Sequence, residues 1–135
     1  MGTCETVDIL LLGAGGREHA LLCKLAESPR AGKIYVAPGN GGMYGLATKV
    51  ELNDEDPVAV AEWARENGIG LVVIGPEAPL VAGVADAVRA AGIPCFGPNG
   101  RAAQMEGSKK FAKQVMLRAG VPTAAYRSFT DEAAC

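Results

Sequence analysis

The sequence is poor in aromatic residues, has no excess of charge and contains no long hydrophobic run. Phe, Trp and Tyr make up 5% of the 135 residues, so a buried core must be built from Val, Leu, Ile and Ala. The formal net charge is −2 and no basic run occurs, which argues against nucleic acid as a partner. The apolar stretches are far shorter than the roughly 20 residues of a membrane-spanning helix, so no membrane partner is expected. With 49% hydrophobic and 21% charged residues, the composition is that of one globular domain.

The sequence also lacks the cysteine and histidine clusters that bind metal ions. Its four cysteines are scattered without a CxxC pair, and His19 is the single histidine. No zinc site or other metal site is therefore predicted, and for His19 we expect a structural hydrogen bond rather than catalysis. Scattered thiols without a signal peptide are typical of a reducing compartment, so a cytoplasmic location is expected.

One stretch near the N-terminus has the order strand, glycine turn, helix. The apolar run at residues 9–12 predicts a strand buried on both faces, and Gly13, Gly15 and Gly16 follow it directly. A helical pattern then begins, so free backbone N–H groups point towards the carboxyl end of the strand. Such a helix N-terminus favours a phosphate or a carboxylate. The alternative is a tight turn without a ligand.

Strand and helix patterns alternate through residue 100, which predicts an α/β fold with an open parallel sheet and right-handed crossovers. Asp56 before Pro57 predicts a helix N-cap, and Asn67 with Gly68 predicts the end of that helix. Ser108 predicts a second N-cap, and residues 121–129 are compatible with the beginning of another strand. The predicted strands cover residues 9–12, 33–37, 48–52, 71–74 and 93–96, and the predicted helices cover residues 16–28, 57–67, 80–91, 101–105 and 108–120.

Glycine-bearing loops follow the first, second, fourth and fifth predicted strands. These loops share the carboxyl edge of the sheet, where open α/β folds bind ligands, so we predict a small-molecule site there. A dinucleotide is the first candidate, because Gly13 and Gly15 fit the pattern G-x-G-x-x-G. However, Glu18 stands where the third glycine belongs, and the second strand ends without an acid for a ribose hydroxyl. NAD and flavin are therefore disfavoured.

Four charged side chains near this edge are candidates for ligand contacts. Arg17 in the first helical turn can bind a phosphate or carboxylate, and the alternative is a solvated position. Glu18 can contact a ligand, favour the helix dipole or pair with Arg17. Glu77 lies between two prolines and can hold ribose hydroxyls or an amine, the alternative being a hydrogen bond within its loop. Lys109 follows Ser108 and can reach a phosphate, although such a lysine is most often solvated.

Four motifs in this order and spacing closely resemble the start of the phosphoribosylamine–glycine ligase (glycinamide ribonucleotide synthetase) family. The resemblance covers about residues 7–129 and implies an open, Rossmann-like parallel sheet known as a pre-ATP-grasp domain over residues 1–103. A linking helix over residues 104–120 and the start of an ATP-grasp domain over residues 121–135 are then expected. The motifs are Gly15-Gly16-Arg17-Glu18-His19-Ala20, Ala37-Pro38-Gly39-Asn40-Gly41, Gly75-Pro76-Glu77-Ala78-Pro79-Leu80 and Glu106-Gly107-Ser108-Lys109.

The resemblance implies the ATP-dependent ligation of glycine to 5-phosphoribosylamine in purine biosynthesis, through a glycyl phosphate. Family members are several times longer, so we expect an N-terminal fragment that is inactive alone, contains no catalytic residue or metal ligand of its own and leaves most ATP and Mg²⁺ contacts to the missing part. Lys109 is expected to reach ATP. The expected substrate-binding residues are Gly15, Gly16, Arg17, Glu18, Gly39, Asn40, Gly41, Gly75, Pro76 and Glu77.

Two other classes remain open. A different ligase with the same first domain, such as a carboxyaminoimidazole ribonucleotide synthetase or a biotin carboxylase, would share the fold and differ in substrate. A non-catalytic phosphoribosyl-binding module is the second alternative.

Overall fold

The computed structural model describes residues 5–131 and 133 as an α/β fold around one parallel sheet. Five strands pair in the order β3-β2-β1-β4-β5, and every neighbouring pair is parallel, which confirms the predicted fold class. Residues 1–4, 132, 134 and 135 lie outside the described part, so the end of the segment expected to begin an ATP-grasp domain, residues 121–135, is described only in part. The elements are β1 (Val7–Gly13), α1 (Gly16–Ala26), β2 (Ala31–Pro38), β3 (Thr48–Lys49), α2 (Pro57–Glu66), β4 (Leu71–Ile74), α3 (Glu77–Ala82), α4 (Val84–Ala90), β5 (Cys95–Phe96), α5 (Gly100–Gly107) and α6 (Lys109–Arg118).

The central strand β1 is buried on both faces, as its apolar sequence predicts. Leu10 and Leu12 face a cluster that contains buried residues of α2 and α4. Ile9 and Leu11 point to the opposite face, where they meet Leu22 of α1. Each of these side chains contributes roughly 1.5–3 kcal/mol by burial. The two clusters hold helices on both faces and leave the carboxyl edge of the sheet open.

Side chains cap the N-termini of α2 and α6. The Asp56 carboxylate accepts the N–H groups of Val58 and Ala59 at 3.0 and 3.1 Å, and Gly68 with φ +65° follows the end of α2. Both predictions for this helix are confirmed. The Ser108 hydroxyl accepts the Phe111 N–H at 3.3 Å and caps α6 as expected. Among the described residues, no helix is both long and apolar enough to cross a membrane.

The single helix predicted over residues 80–91 is wrong, because the structure has two helices there. The chain enters α3 already at Glu77, and Gly83 with φ +92° separates α3 from α4. Pro79 does not prevent the early start, because the N–H groups of a first helical turn have no intrahelical partner. Val81 within α3 is 37% exposed.

The strand suggested for residues 121–129 is also wrong. Between α6 and Asp131 the described residues form no strand, and Val121 and Phe129 are exposed. Lys113 of α6 contacts this segment through its ammonium group, which donates to the Thr123 hydroxyl at 2.6 Å and to the Ala124 carbonyl at 2.9 Å. The Val121 N–H donates to the Met116 carbonyl at 2.9 Å. A strand needs a hydrogen-bonding partner, and the described residues offer none here. The domain boundaries near residues 103 and 120 stay predictions.

Candidate functional site

The candidate site is a cleft at the carboxyl ends of β1 and β4, where the strand order reverses. From β1 the chain continues to β2 on one side, whereas β4 pairs with β1 on the other side, and such a switch point leaves a crevice between two loops. The cleft has a volume of about 290 Å³. Six predicted substrate-binding residues line it together, namely Gly15, Gly16, Arg17, Glu18, Pro76 and Glu77.

Glu18 is a buried carboxylate beneath this cleft. Its side chain is only 5% exposed, and its Oε2 accepts the Gly15 N–H at 2.8 Å. A Cβ atom on Gly13 would lie 2.7 Å from Glu18 Cγ, one on Gly15 would lie 2.6 Å from Oε2, and one on Gly75 would lie 2.6 Å from Cδ. The carboxylate therefore explains three of the loop glycines. An acid three residues after a helix N-cap is a known capping signature, and our sequence analysis did not use it.

Arg17 connects the loops that follow β1 and β4. Its Nη1 donates to the Gly75 carbonyl at 2.9 Å, although the side chain is exposed. A guanidinium group has five N–H donors, so this bond leaves donors for an anion in the cleft. The bond to Gly75 means that Arg17 is not fully solvated. Among the described residues, the salt bridges do not include one between Arg17 and Glu18.

The two helices that border the cleft begin without a side-chain cap. The N-cap residues are Gly15 for α1 and Pro76 for α3, and neither provides an acceptor for the first N–H groups. In contrast, Asp56, Asn99 and Ser108 cap α2, α5 and α6 with their own side chains, whereas α4, which follows α3 directly at Gly83, has no side-chain cap either. Uncapped N-terminal N–H groups carry partial positive charge, and this favours an anion in the cleft.

The loop after β2 is tied to the loop after β1. The Asn40 amide group donates from Nδ2 to the Ala14 carbonyl at 2.8 Å, and its Oδ1 accepts the Gly42 N–H at 2.9 Å. The Gly39 N–H donates to the Gly13 carbonyl at 3.2 Å. Of the three residues predicted here, Gly39 and Asn40 support the first loop, whereas Gly41 is exposed with open space around it.

A second, larger cavity of about 680 Å³ opens on the other side of Arg17, towards β5 and α5. Its wall near β5 is held by Arg89, whose Nη2 donates to the carbonyls of Cys95 and Gly97. The Asp86 carboxylate accepts the Gly100 N–H at 2.8 Å and holds the start of α5. Burial raises the pKa of the Cys95 thiol and outweighs the nearby Arg89. Sequence reasoning missed Arg89 and Asp86, because their partners are backbone groups of the following strand and loop, 6 to 14 positions further along.

The predicted ATP contact, Lys109, lies outside both cavities. Lys109 is exposed at the first position of α6 and lines neither of these two cavities. Within residues 5–131 and 133, no group of three or more His, Cys, Asp or Glu side chains is placed to hold a metal ion. The residues described here thus do not fit a magnesium site, and no step through Mg²⁺ is assigned to them.

The relatives of this chain include phosphoribosylamine–glycine ligases and trifunctional purine biosynthetic proteins. The phosphoribosylamine–glycine ligase of Rhizobium meliloti (strain 1021) is 55% identical over 125 residues, which cover 93% of this chain and 30% of the relative. A trifunctional purine biosynthetic protein adenosine-3 of Drosophila melanogaster is 50% identical over 129 residues, covering 91% of this chain and 10% of the relative. The chain therefore spans about 30% of the length of the bacterial ligase.

Solved structures and a family model agree with these relatives. The crystal structure of a phosphoribosylamine–glycine ligase from Thermotoga maritima matches with a TM-score of 0.64 at 27% identity, covering 88% of this chain and 26% of that chain. The biotin carboxylase domain of a single-chain bacterial carboxylase shares the fold, with a TM-score of 0.67 at 20% identity over 96% of this chain and 33% of that chain. The family model described as phosphoribosylglycinamide synthetase, N domain, matches residues 7–106. The chain therefore belongs to the phosphoribosylglycinamide synthetase N-domain family, as its motifs predict.

Proposed function

We propose that this chain is the phosphoribosyl-binding N-terminal part of a ligase that joins glycine to 5-phosphoribosylamine. In this reaction the glycine carboxylate takes the terminal phosphoryl group of ATP, giving glycyl phosphate and ADP. The amine nitrogen of phosphoribosylamine then attacks the acyl carbon, and phosphate leaves. The products are glycinamide ribonucleotide, ADP and phosphate, and the bacterial relatives support this proposal by their name.

The part of the reaction that belongs to this chain is the binding of the phosphoribosyl substrate. The observation that carries this proposal is the uncapped N-terminus of α1, which faces the same cleft as Glu77. The N–H groups of Gly16 and Arg17 are placed for the phosphate, and open space surrounds the position of a Gly16 Cβ. Arg17 adds charge beside this position.

The opposite wall of the cleft is suited to the sugar. Glu77 is the first residue of α3 and is exposed, so its carboxylate can accept hydrogen bonds from ribose hydroxyls or from the amine. Gly75 and Pro76 place α3 directly after β4 and close to the first loop. Glu18 belongs to the site through the carboxylate that lines the cleft, and Gly39, Asn40 and Gly41 through the loop that supports it.

The remaining contacts belong to the rest of the proposed enzyme. ATP and Mg²⁺ would be bound mainly by residues outside this chain, with Lys109 reaching ATP. Glycine, 5-phosphoribosylamine and ATP are the proposed partners, without nucleic acid or membrane. The proposal includes a cytoplasmic location, which rests on the scattered cysteines. The chain alone is expected to release no ADP when glycine and phosphoribosylamine are supplied.

The test is a chemical-shift titration of the ¹⁵N-labelled chain with ribose 5-phosphate. We expect shifts at residues 13–18 and 75–77, binding that weakens as salt rises, and no measurable response to NAD. Gly16→Val should abolish binding by filling the phosphate position while the fold survives, because no atom lies within 4 Å of the Gly16 Cβ position. Gly45→Val, at an equally open glycine outside the site, is the matched control. Shifts confined to other regions, or an equal response to NAD, would contradict the proposal.

A further inference from the structure

Glu18 occupies the position of the third glycine in a dinucleotide-binding fingerprint. Gly13 and Gly15 match the first two glycines, and the strand, turn and helix around them have the corresponding order. Among the described residues, Glu18 is the one buried charged side chain. The β1–α1 loop therefore resembles an anion-binding loop in its backbone, and the Glu18 carboxylate is a negative charge within it.

The Glu18 carboxylate lies where a diphosphate would have to bind. In the fingerprint, the second glycine lets the backbone approach the pyrophosphate. Here the N–H of that glycine, Gly15, already donates to Glu18 Oε2 at 2.8 Å. The other carboxylate oxygen lies towards Gly75, where a Cβ atom would meet it. The carboxylate thus fills the gap between the β1 and β4 loops, which is the crevice that a dinucleotide crosses.

A single phosphate meets different surroundings. The N–H groups of Gly16 and Arg17 come after Gly15 in α1, and neither is the group that Glu18 caps. A phosphate there would lie next to the Arg17 guanidinium, which adds positive charge. A second phosphoryl group placed towards Gly15 would instead meet a buried carboxylate and an N–H that is already bonded. Like charges a few ångströms apart in such a cleft change affinity by on the order of tenfold or more.

We propose that Glu18 is a specificity-determining residue that restricts the β1–α1 loop to one phosphate and excludes diphosphates. It acts by the position and the negative charge of its carboxylate in the wall of the cleft. The monophosphate half of this inference rests on the proposed function. The exclusion of a diphosphate rests on the geometry of Glu18, Gly15 and Gly75 alone.

The experiment compares ribose 5-phosphate with ADP-ribose as probes for the wild type, Glu18→Gln and Glu18→Gly. Glu18→Gln keeps an oxygen that can accept the Gly15 N–H, so it removes the charge and preserves the cap. Glu18→Gly completes the glycine pattern and empties the crevice. Glu62→Gln, an exposed change on α2, is the control for the loss of one negative charge. Circular dichroism verifies the fold of each variant before its dissociation constants are measured by calorimetry.

The readout is the ratio of the two dissociation constants, which a merely structural role would not change. For the wild type and Glu62→Gln we expect ADP-ribose to bind at least about tenfold more weakly than ribose 5-phosphate. In Glu18→Gln the dissociation constants of the two probes should agree within about threefold. Glu18→Gly should bind ADP-ribose more tightly than the wild type and the other variants do.

The outcomes separate this inference from the proposed function. If folded Glu18→Gln and Glu18→Gly leave the ratio unchanged while ribose 5-phosphate still binds, the inference is wrong and the proposed function stands. If the wild type binds neither probe but Glu18→Gly binds ADP-ribose, the exclusion of diphosphates is supported and the proposed function is wrong. If folded Glu18→Gln and Glu18→Gly weaken both probes equally, Glu18 only supports the loop.

Discussion

Gly75→Ala tests the close contact between Glu18 and the loop after β4. The added methyl group would lie 2.6 Å from both Cγ and Cδ of Glu18, and closer still to one carboxylate oxygen. Such a contact cannot persist, so either the Gly75 backbone or the Glu18 side chain has to move. The side chain can move more easily, and its movement would break the hydrogen bond between Glu18 and the Gly15 N–H.

The expected loss of stability follows from three contributions. Overpacking of a close contact costs about 1–3 kcal/mol, and the lost hydrogen bond costs about 0.5–1.5 kcal/mol. Alanine also reduces the conformational freedom of the unfolded chain relative to glycine, which returns about 0.4–1 kcal/mol. The net decrease in the free energy of unfolding is therefore roughly 0.5–4 kcal/mol. For a chain of this length, each kcal/mol lowers Tm by about 3–5 °C.

Urea denaturation followed by circular dichroism measures this loss, and a double-mutant cycle assigns it to Glu18. In a Glu18→Ala background the methyl group has space, so Gly75→Ala should cost less than about 0.5 kcal/mol. Gly45→Ala, where no atom lies within 4 Å of the added Cβ, should not lower stability and should raise it by at most about 1 kcal/mol. If the effects of Glu18→Ala and Gly75→Ala simply add, the carboxylate does not occupy this space and the reasoning is refuted.

Three further predictions concern single side chains. Glu77→Gln should weaken ribose 5-phosphate binding by about ten- to a hundredfold, as expected for a lost charge-assisted hydrogen bond, and unchanged affinity in calorimetry would return Glu77 to a structural role. Asp56→Ala should lower the free energy of unfolding by about 0.5–2 kcal/mol through loss of the α2 cap, and an equal effect of the neighbouring Glu55→Ala in urea denaturation would speak against this. Because burial raises the pKa of Cys95 above its ordinary value of 9.0, its thiol should react more slowly with iodoacetamide at mildly alkaline pH in the folded chain than in urea, and equal rates by mass spectrometry would contradict it. The raised pKa of Cys95 also makes stability depend on pH. Its contribution to the free energy of unfolding is fully present below the pKa of the unfolded chain and is lost as pH rises through the pKa of the folded chain.

Local patterns in the sequence predicted most of the fold. The apolar run of β1, the Asp56 and Ser108 caps, and Gly68 as a helix end depend on neighbours within a few residues, and the structure has all of them. The parallel sheet followed from the alternation of strands and helices, whereas the order of its strands was not predicted. Family resemblance then added the expected identity of the domain.

The differences from the predictions have more than one cause. A strand after α6 needs a partner strand, and residues 121–129 have none in the described part of the chain. The early start of α3 depends on how Pro76 leaves β4, and a run with two prolines resembles a loop when it is read alone. The close approach of the Glu18 side chain to Gly75 joins residues 57 positions apart, so a local pattern does not reveal it.

The distribution of helix caps connects these observations with function. Serine, aspartate or asparagine caps α2, α5 and α6, and such a residue stabilises a helix by only roughly a few tenths of a kcal/mol relative to a glycine N-cap. Gly15 instead leaves the groups after it uncapped, and the buried Glu18 carboxylate satisfies the Gly15 N–H alone. A side chain at Gly15 would also have to displace Glu18, because a Cβ atom there would lie 2.6 Å from Glu18 Oε2. Departures from local rules occur where another requirement outweighs them, and here that requirement fits an external phosphate at Gly16 and Arg17.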